Sequence, residues 1–370
     1  MINGLYANDN AALKASLINV GDLSRIKNVI SKAKAGKPIT LGFLGGSITQ
    51  GSGSTDGMHY VRYTTDFWKE TFPGSEITCV NAGMGATGSI LGVFRMEKDV
   101  LSAKPDVLVI DHSVNDNGDE SRVPGSTKQT YECVIRRGLL SGAAVVPLCV
   151  CSSDGNSQRD MNLELAKHYD LPFVSMFDGI YEPLIKSGKY NWSSYSNDSV
   201  HPNPAGHPML AELLKYYFKL ALDDESEIGD INKPLPTPLF GQSYMNTEML
   251  DGSTLIPDSY GAFKVGNTDF YQFKGGWTSE GGGDAMTFVL KDCKVVHIAY
   301  VKNPAENSGT ATVTANGEIY EVDTFFKNGW GKYAETKRIF ASNVPADVTV
   351  SIKPNDEGKI FPLLRVMVAR

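Results

Sequence analysis

Ser47 follows the apolar run Leu41-Gly42-Phe43-Leu44-Gly45-Gly46 and precedes Ile48-Thr49-Gln50-Gly51. A strand that stops at two glycines and delivers a serine into a tight turn holds a hydroxyl at a fixed point, because glycine turns the backbone without a Cβ clash. A serine hydroxyl is a poor nucleophile until a base takes its proton. Of the six histidines, His201 is best placed to do so, on a loop before the last helical run and three residues after Asp198. That spacing lets one loop curl so that the carboxylate meets Nδ1–H and Nε2 faces outward. Taken singly, the Gly-Gly-Ser turn fits an incidental serine equally well, and Asp-x-x-His fits a turn-capping carboxylate. Together they point to nucleophilic acyl transfer, which also needs donors aimed at the developing oxyanion. Three are available by position: the Ser47 N–H, a backbone N–H of the turn Gly83-Met84-Gly85-Ala86, and the side-chain amide of Asn115. Gly83, Gly85 and Ala86 stay open as the source of the second, and Asp116 reads as structural.

These groups need a scaffold, and strand and helix patterns alternate along the first 222 residues. Strands are predicted at about 39–44, 77–80, 107–110, 143–150 and 172–175. Helical spacing is seen at 24–33, 60–72, 90–101, 131–140, 163–169 and 208–222, whereas residues 1–20 carry no clear pattern. Val107-Leu108-Val109-Ile110 is apolar at every position, as a parallel strand covered on both faces requires. The alternation predicts an α/β fold, a parallel sheet between helices, with Ser47, Gly85 and Asn115 beyond the carboxyl ends of its strands. Asp223-Asp224-Glu225-Ser226-Glu227 and the prolines at 234, 236 and 238 mark a linker over 223–239. Short β-prone runs between Gly, Asn, Asp and Pro clusters then predict an all-β sandwich over 240–370.

Four blocks occur in order: Gly46-Ser47-Ile48-Thr49, Asn81-Ala82-Gly83-Met84-Gly85, Ser113-Val114-Asn115-Asp116 and Asp198-Ser199-Val200-His201-Pro202. Over about residues 38–220 the chain resembles the SGNH (GDSL-type) hydrolases. The resemblance implies a flavodoxin-like three-layer fold, Ser47 as nucleophile, His201 as base, Asp198 as its orienter, and an oxyanion hole from Ser47, Gly85 and Asn115. Two departures stand out: Ser113 occupies a position where the family usually shows glycine, and Ala86 is a second match for the oxyanion glycine of many members. An SGNH domain followed by a β-sandwich looks like the carbohydrate esterases, most closely those resembling family seventeen, which deacetylate mannan oligosaccharides and carry a family thirty-five-type carbohydrate-binding module. The implied substrate is an acetylated oligosaccharide, mannan-derived before xylan-derived, and no cofactor is implied. Trp330, flanked by glycines, and Trp192 and Tyr195, just before Asp198, are the candidate sugar contacts.

Other classes are disfavoured. A net charge of −7 and a pI near 5.5, without a basic cluster, argue against nucleic acid. No segment reaches membrane-spanning length, and Met1–Asp9 lacks the pattern of a secretory leader. The five cysteines form no Cys-x-x-Cys pair and read as free thiols of a cytoplasmic protein. His201 and His207 with Asn203 make no convincing metal set. Gly83-Met84-Gly85-Ala86-Thr87-Gly88 is formally Gly-x-Gly-x-x-Gly between a strand and a helix, and Asp111 ends the next strand where a dinucleotide site would want an acidic residue, so a dinucleotide-dependent oxidoreductase is the rival reading. That reading leaves Ser47, Asn115, Asp198 and His201 without roles. A glycan-binding protein on a dead hydrolase fold is the third possibility, disfavoured by the complete set of nucleophile, base and carboxylate.

Overall fold

The computed structural model describes residues 10–122 and 125–370, so Met1–Asp9, expected not to be a secretory leader, lie outside the described residues. The chain divides into two compact units, Met1–Gly241 and Gln242–Arg370.

The first unit is built on a six-stranded sheet. Its strands are β1 (Leu17–Asn19), β2 (Ile39–Gly45), β3 (Ile77–Gly83), β4 (Val107–Asp111), β5 (Ala144–Cys149) and β6 (Phe173–Ser175), in the order β1-β6-β5-β4-β2-β3. β2 to β6 are parallel, and apart from the antiparallel edge β1 they follow the doubly wound order 2-1-3-4-5. The flavodoxin-like fold is therefore present. Both faces of the sheet are covered. Val107 and Val109 of β4 join the core formed with helices α2 (Ser24–Lys34), α4 (Tyr60–Thr71) and α9 (Gly206–Asp223), where Trp68 meets Phe218 edge-on at 5.2 Å. Leu108 and Ile110 are just as buried, and a Cβ at Gly138 of helix α7 (Ser126–Leu140) would come within 2.9 Å of Leu108.

Helix α1 (Asn10–Ser16) falls within residues 1–20, which carry no clear pattern, and three further elements are equally unreadable. β1 is too short for a periodicity. Helix α6 (Ser113–Arg122) has the polar sequence Ser-Val-Asn-Asp-Asn-Gly-Asp-Glu-Ser-Arg, with no apolar stripe. The π-helix Phe177–Lys186 carries Pro183 inside it.

The stretch expected as a linker, 223–239, begins on the last residue of α9, and residues 224–241 run along the first unit. Lys27 Nζ meets Asp224 Oδ1 at 2.6 Å, and Arg136 Nη1 donates to the Pro236 carbonyl at 2.7 Å. The buried Glu132 carboxylate accepts the N–H groups of Leu239, Phe240 and Gly241 at 2.6, 2.7 and 2.9 Å.

The second unit is antiparallel. Its described strands form one eight-stranded sheet, seven on one hydrogen-bonded path and the eighth, Thr247–Leu250, paired to the strand Phe361–Ala369. Two long strands, Met286–Lys302 and Tyr333–Pro354, pair along most of their length and carry register shifts near Leu290, Cys293 and Val295. Bulges of this kind bend strands, so a single pair can contribute to both sides of one core. Trp277, Phe288, Ile298, Val350 and Val366 lie in that core, each 1 % exposed or less.

Candidate active site

The strand ends and one loop gather the expected groups. Ser47 opens the short helix α3 (Ser47–Gln50) directly after β2, so its N–H lies at a helix start and has no partner within the helix. Ser47 Oγ is 2.8 Å from His201 Nε2, and His201 Nδ1 is 2.7 Å from Asp198 Oδ2. The chain Ser47–His201–Asp198 is thus continuous, with Nδ1–H donating to the carboxylate and Nε2 left to accept from the hydroxyl.

The loop that carries Asp198 and His201 is held by its own hydrogen bonds. Asp198 Oδ1 accepts from the N–H groups of Val200 and His201, each at 2.7 Å. Burial alone would raise the Asp198 pKa, but these backbone bonds and the His201 ring together lower it, keeping the carboxylate ionised. Buried Ser196 sits beneath the loop. Its Oγ accepts the Asp198 N–H at 3.1 Å and lies 2.5 Å from the His201 carbonyl. The Trp192 indole N–H donates to the Asp198 carbonyl at 2.6 Å. His207, at the start of α9, accepts the Tyr60 N–H at Nδ1 and donates from Nε2 to the Ser52 carbonyl at 3.0 Å, tying the segment after α3 to α9. Burial holds His207 neutral, at about 4.

The oxyanion candidates sit on neighbouring strand ends. Gly83 N–H is taken by Asn81 Oδ1 at 2.9 Å and Met84 N–H by the Gly45 carbonyl at 3.0 Å. That leaves Gly85 and Ala86 as the turn's donors. Ala86 adopts φ 56°, a conformation tolerated at a cost by a residue with a Cβ. Asn115, in the first turn of α6, stands against the nucleophile turn: a Cβ at Gly46 would fall 2.3 Å from Asn115 Oδ1, so a larger residue there would push the amide aside. Ser113, the departure from the usual glycine, is fully buried and exchanges hydrogen bonds with Val150, its Oγ lying 2.8 Å from both the N and O of that residue.

Asp116 has a structural partner, as its Oδ1 caps helix α5 (Ser89–Asp99) by accepting the Ser89 N–H at 2.6 Å. The helix start of the Gly-x-Gly-x-x-Gly turn is therefore already filled by a carboxylate. A Cβ at Gly88 would meet Asp119 Oδ2 at 2.3 Å and Asp116 Oδ1 at 2.4 Å. A pyrophosphate would have to displace both acidic groups and be repelled by them, which removes the physical basis of the dinucleotide reading.

Among the predicted sugar contacts, Trp192 is half-buried with its N–H committed to Asp198, and Tyr195 is fully buried and out of reach of a substrate. Trp330, in the second unit, is 70 % exposed; it stacks on Tyr333 at 5.5 Å and meets Phe326 edge-on. Among the described residues no group of three or more His, Cys, Asp or Glu could hold a metal ion. No helix among them is long and apolar enough to cross a membrane.

Two buried titratable groups lie behind the site: Arg95 on α5, which carries no sequence signal, and Asp111 at the end of β4, which from sequence fits only the acidic residue of the dinucleotide reading. Asp111 Oδ2 accepts from Thr49 Oγ1 at 3.2 Å, and Thr49 in turn lies 2.8 Å from the Tyr60 hydroxyl. Burial raises the Asp111 pKa to about 7, against the opposing pull of Thr49. A carboxyl whose folded pKa lies above its unfolded value of 3.8 binds its proton more tightly in the folded state, so stability falls as pH rises from about 4 to about 7. Asp111→Asn removes that slope. Thermal midpoints at pH 4.5 and pH 8 should show the variant gaining on wild type at the higher pH by about 2–4 °C per kcal/mol. A difference that does not change with pH would contradict this.

Comparison with known proteins gives the family. Residues 43–208 match the family model described as GDSL-like lipase/acylhydrolase. The solved structure titled a two-domain esterase (CEX) active on acetylated mannans is 30 % identical to this chain, with a TM-score of 0.86 over 97 % of this chain and 98 % of that one. The chain belongs to the GDSL-like lipase/acylhydrolase family. A second structure of the two-domain esterase, co-crystallized with mannopentaose, is 29 % identical, with a TM-score of 0.85 over the same shares of the two chains. No curated protein matches this chain. Its family membership makes it a hydrolase of the GDSL/SGNH esterase type, with a parallel-sheet α/β unit followed by an antiparallel β unit.

Proposed function

We propose that this GDSL-family hydrolase is a serine esterase that removes O-acetyl groups from plant-polysaccharide-derived oligosaccharides, acetylated mannan first and xylan next. The observation that carries the reading is the Ser47–His201–Asp198 chain, with its 2.8 and 2.7 Å links. The mannan preference is supported by likeness over almost the whole of both chains to an esterase named as active on acetylated mannans.

In the first step Ser47 Oγ attacks the acetyl carbonyl carbon as its proton passes to His201 Nε2. Asp198 stabilises the imidazolium through Nδ1–H. The carbonyl oxygen becomes an oxyanion, met by the N–H groups of Ser47 and Gly85 and the side-chain amide of Asn115. The tetrahedral intermediate collapses as the C–O bond to the sugar breaks, and His201 returns the proton to the leaving sugar oxygen. Water, activated by the same histidine, then cleaves the acetyl–Ser47 ester to acetate. Sugars are gripped by aromatic faces and hydroxyl-bonding groups, and the exposed Trp330–Tyr333 pair is of that kind, so we assign it to glycan contact. The five free cysteines suit a cytoplasmic enzyme acting on oligosaccharides after uptake.

Mass spectrometry of acetylated manno- and xylo-oligosaccharides after incubation with the enzyme tests the substrate class. Loss of acetyl groups, faster from the manno-series, is the expected result. Intact acetylation in both series, with activated acetate esters still hydrolysed, would confine the enzyme to other acyl esters.

A further inference from the structure

Arg95 lies within helix α5 yet is 3 % exposed. Its Nη1 donates to the Ala82 carbonyl at 2.7 Å, its Nη2 donates to the Gly45 carbonyl at 2.9 Å, and Nη1 also meets Asp99 Oδ2 at 3.0 Å. Desolvating a guanidinium is expensive, and a single ion pair one turn away on the same helix does not explain why its fork is aimed at two backbone oxygens. Those oxygens belong to adjacent strand ends. Gly45 closes β2 two residues before Ser47, and Ala82 lies near the end of β3 three residues before Gly85. The Gly45 carbonyl also accepts the Met84 N–H at 3.0 Å, so the two ends are joined both directly and through the guanidinium.

We propose that Arg95 is a positioning residue for the oxyanion hole: its guanidinium holds the ends of β2 and β3 at the spacing that aims the Ser47 and Gly85 N–H groups at one oxygen. The inference rests on the acyl-transfer reading of Ser47. Arg95 touches none of the proposed reacting groups; it acts through the Gly45 and Ala82 carbonyls. Its charge is also felt nearby, since burial together with Arg95 holds His112 neutral, at about 3. Lysine carries the same charge but lacks the planar fork, so it cannot reproduce the two carbonyl bonds and the Asp99 contact together.

The test is steady-state kinetics on an activated acetate ester, with folding checked by circular dichroism. Arg95→Lys is expected to lower kcat by about 10- to 100-fold while KM stays within about threefold, because donors that meet the oxyanion act on the transition state. Asp99→Asn removes the ion pair and leaves the carbonyl bonds, so it should lower the thermal midpoint with kcat within about twofold of wild type. A wild-type kcat in folded Arg95→Lys overturns the proposal, as does a loss in Asp99→Asn equal to that in Arg95→Lys. Should Arg95→Lys not fold, Arg95→Gln is read by the same split. Ser47→Ala in the same assay separates the two claims. If it keeps the wild-type rate, the acyl-transfer reading fails; if it is inactive while folded Arg95→Lys is fully active, only the role of Arg95 fails.

Discussion

Replacing Ser47 with alanine is expected to lower kcat for acetyl-ester hydrolysis by on the order of 10⁴- to 10⁶-fold, as removal of a nucleophile from an acyl-transfer triad does. The fold should survive. Ser47 is only partly buried, and the one side-chain hydrogen bond described for it is to His201. The turn that carries it is held by other groups: the Gly46 N–H donates to the Asp111 carbonyl at 3.2 Å, and Asn81 Nδ2 donates to the Thr49 carbonyl at 2.8 Å. Thermal midpoints within about a degree or two of wild type are expected, in line with a change that opens no core cavity. Activity measured on purified Ser47→Ala, with its melting curve, checks both statements.

Asp198→Asn is expected to cost on the order of 10⁴-fold in kcat, the effect of presenting the base in the wrong tautomer. The local hydrogen bonds dictate how the amide sits. Val200 and His201 both point N–H groups at Oδ1, so the amide oxygen must take that place. The NH₂ group then faces His201 Nδ1 and can only donate to it. The ring proton moves to Nε2, and the imidazole can no longer accept from Ser47. Because the carboxylate is half-exposed and its loop is also held by Ser196 and Trp192, the change should leave stability nearly intact. A kcat–pH profile checks the effect: the loss should be present across the neutral range. Near-wild-type activity would remove Asp198 from the relay.

These expectations draw on residues that differ in how readable they were. Ser47, Asp198 and His201 could be paired before any fold was known, because a glycine-bounded serine turn and an Asp-x-x-His loop are local patterns with chemical meaning. The strands were readable for a similar reason: Val107–Ile110 is apolar throughout because helices cover it on both faces. The burial of Arg95 and Asp111 is not readable. In a helical pattern an arginine reads as a solvated face, and only the Gly45 and Ala82 carbonyls, 50 and 13 positions away, make its burial intelligible. Asp111 reads as the polar end of a strand, and its burial depends on Thr49 and Tyr60 closing over it. Tyr195 misled in the opposite sense. Its nearness in sequence to Asp198 suggested a sugar contact, but the short helical turn Trp192–Ser194 sends its ring into the core. The choice among Gly83, Gly85 and Ala86 turns on contacts that sequence does not display: Asn81 and Gly45 take the N–H groups of Gly83 and Met84.

The nucleophile can be tested without a substrate assignment. A fluorophosphonate reacts with an activated serine: the oxygen displaces fluoride at phosphorus and leaves a tetrahedral adduct resembling the transition state. Treatment of the wild-type enzyme followed by peptide mapping should place one equivalent of label on Ser47, with esterase activity lost in proportion and no labelling of Ser47→Ala. Full activity with Ser47 labelled, or inactivation with the label elsewhere, would contradict the assignment of Ser47 as the attacking group.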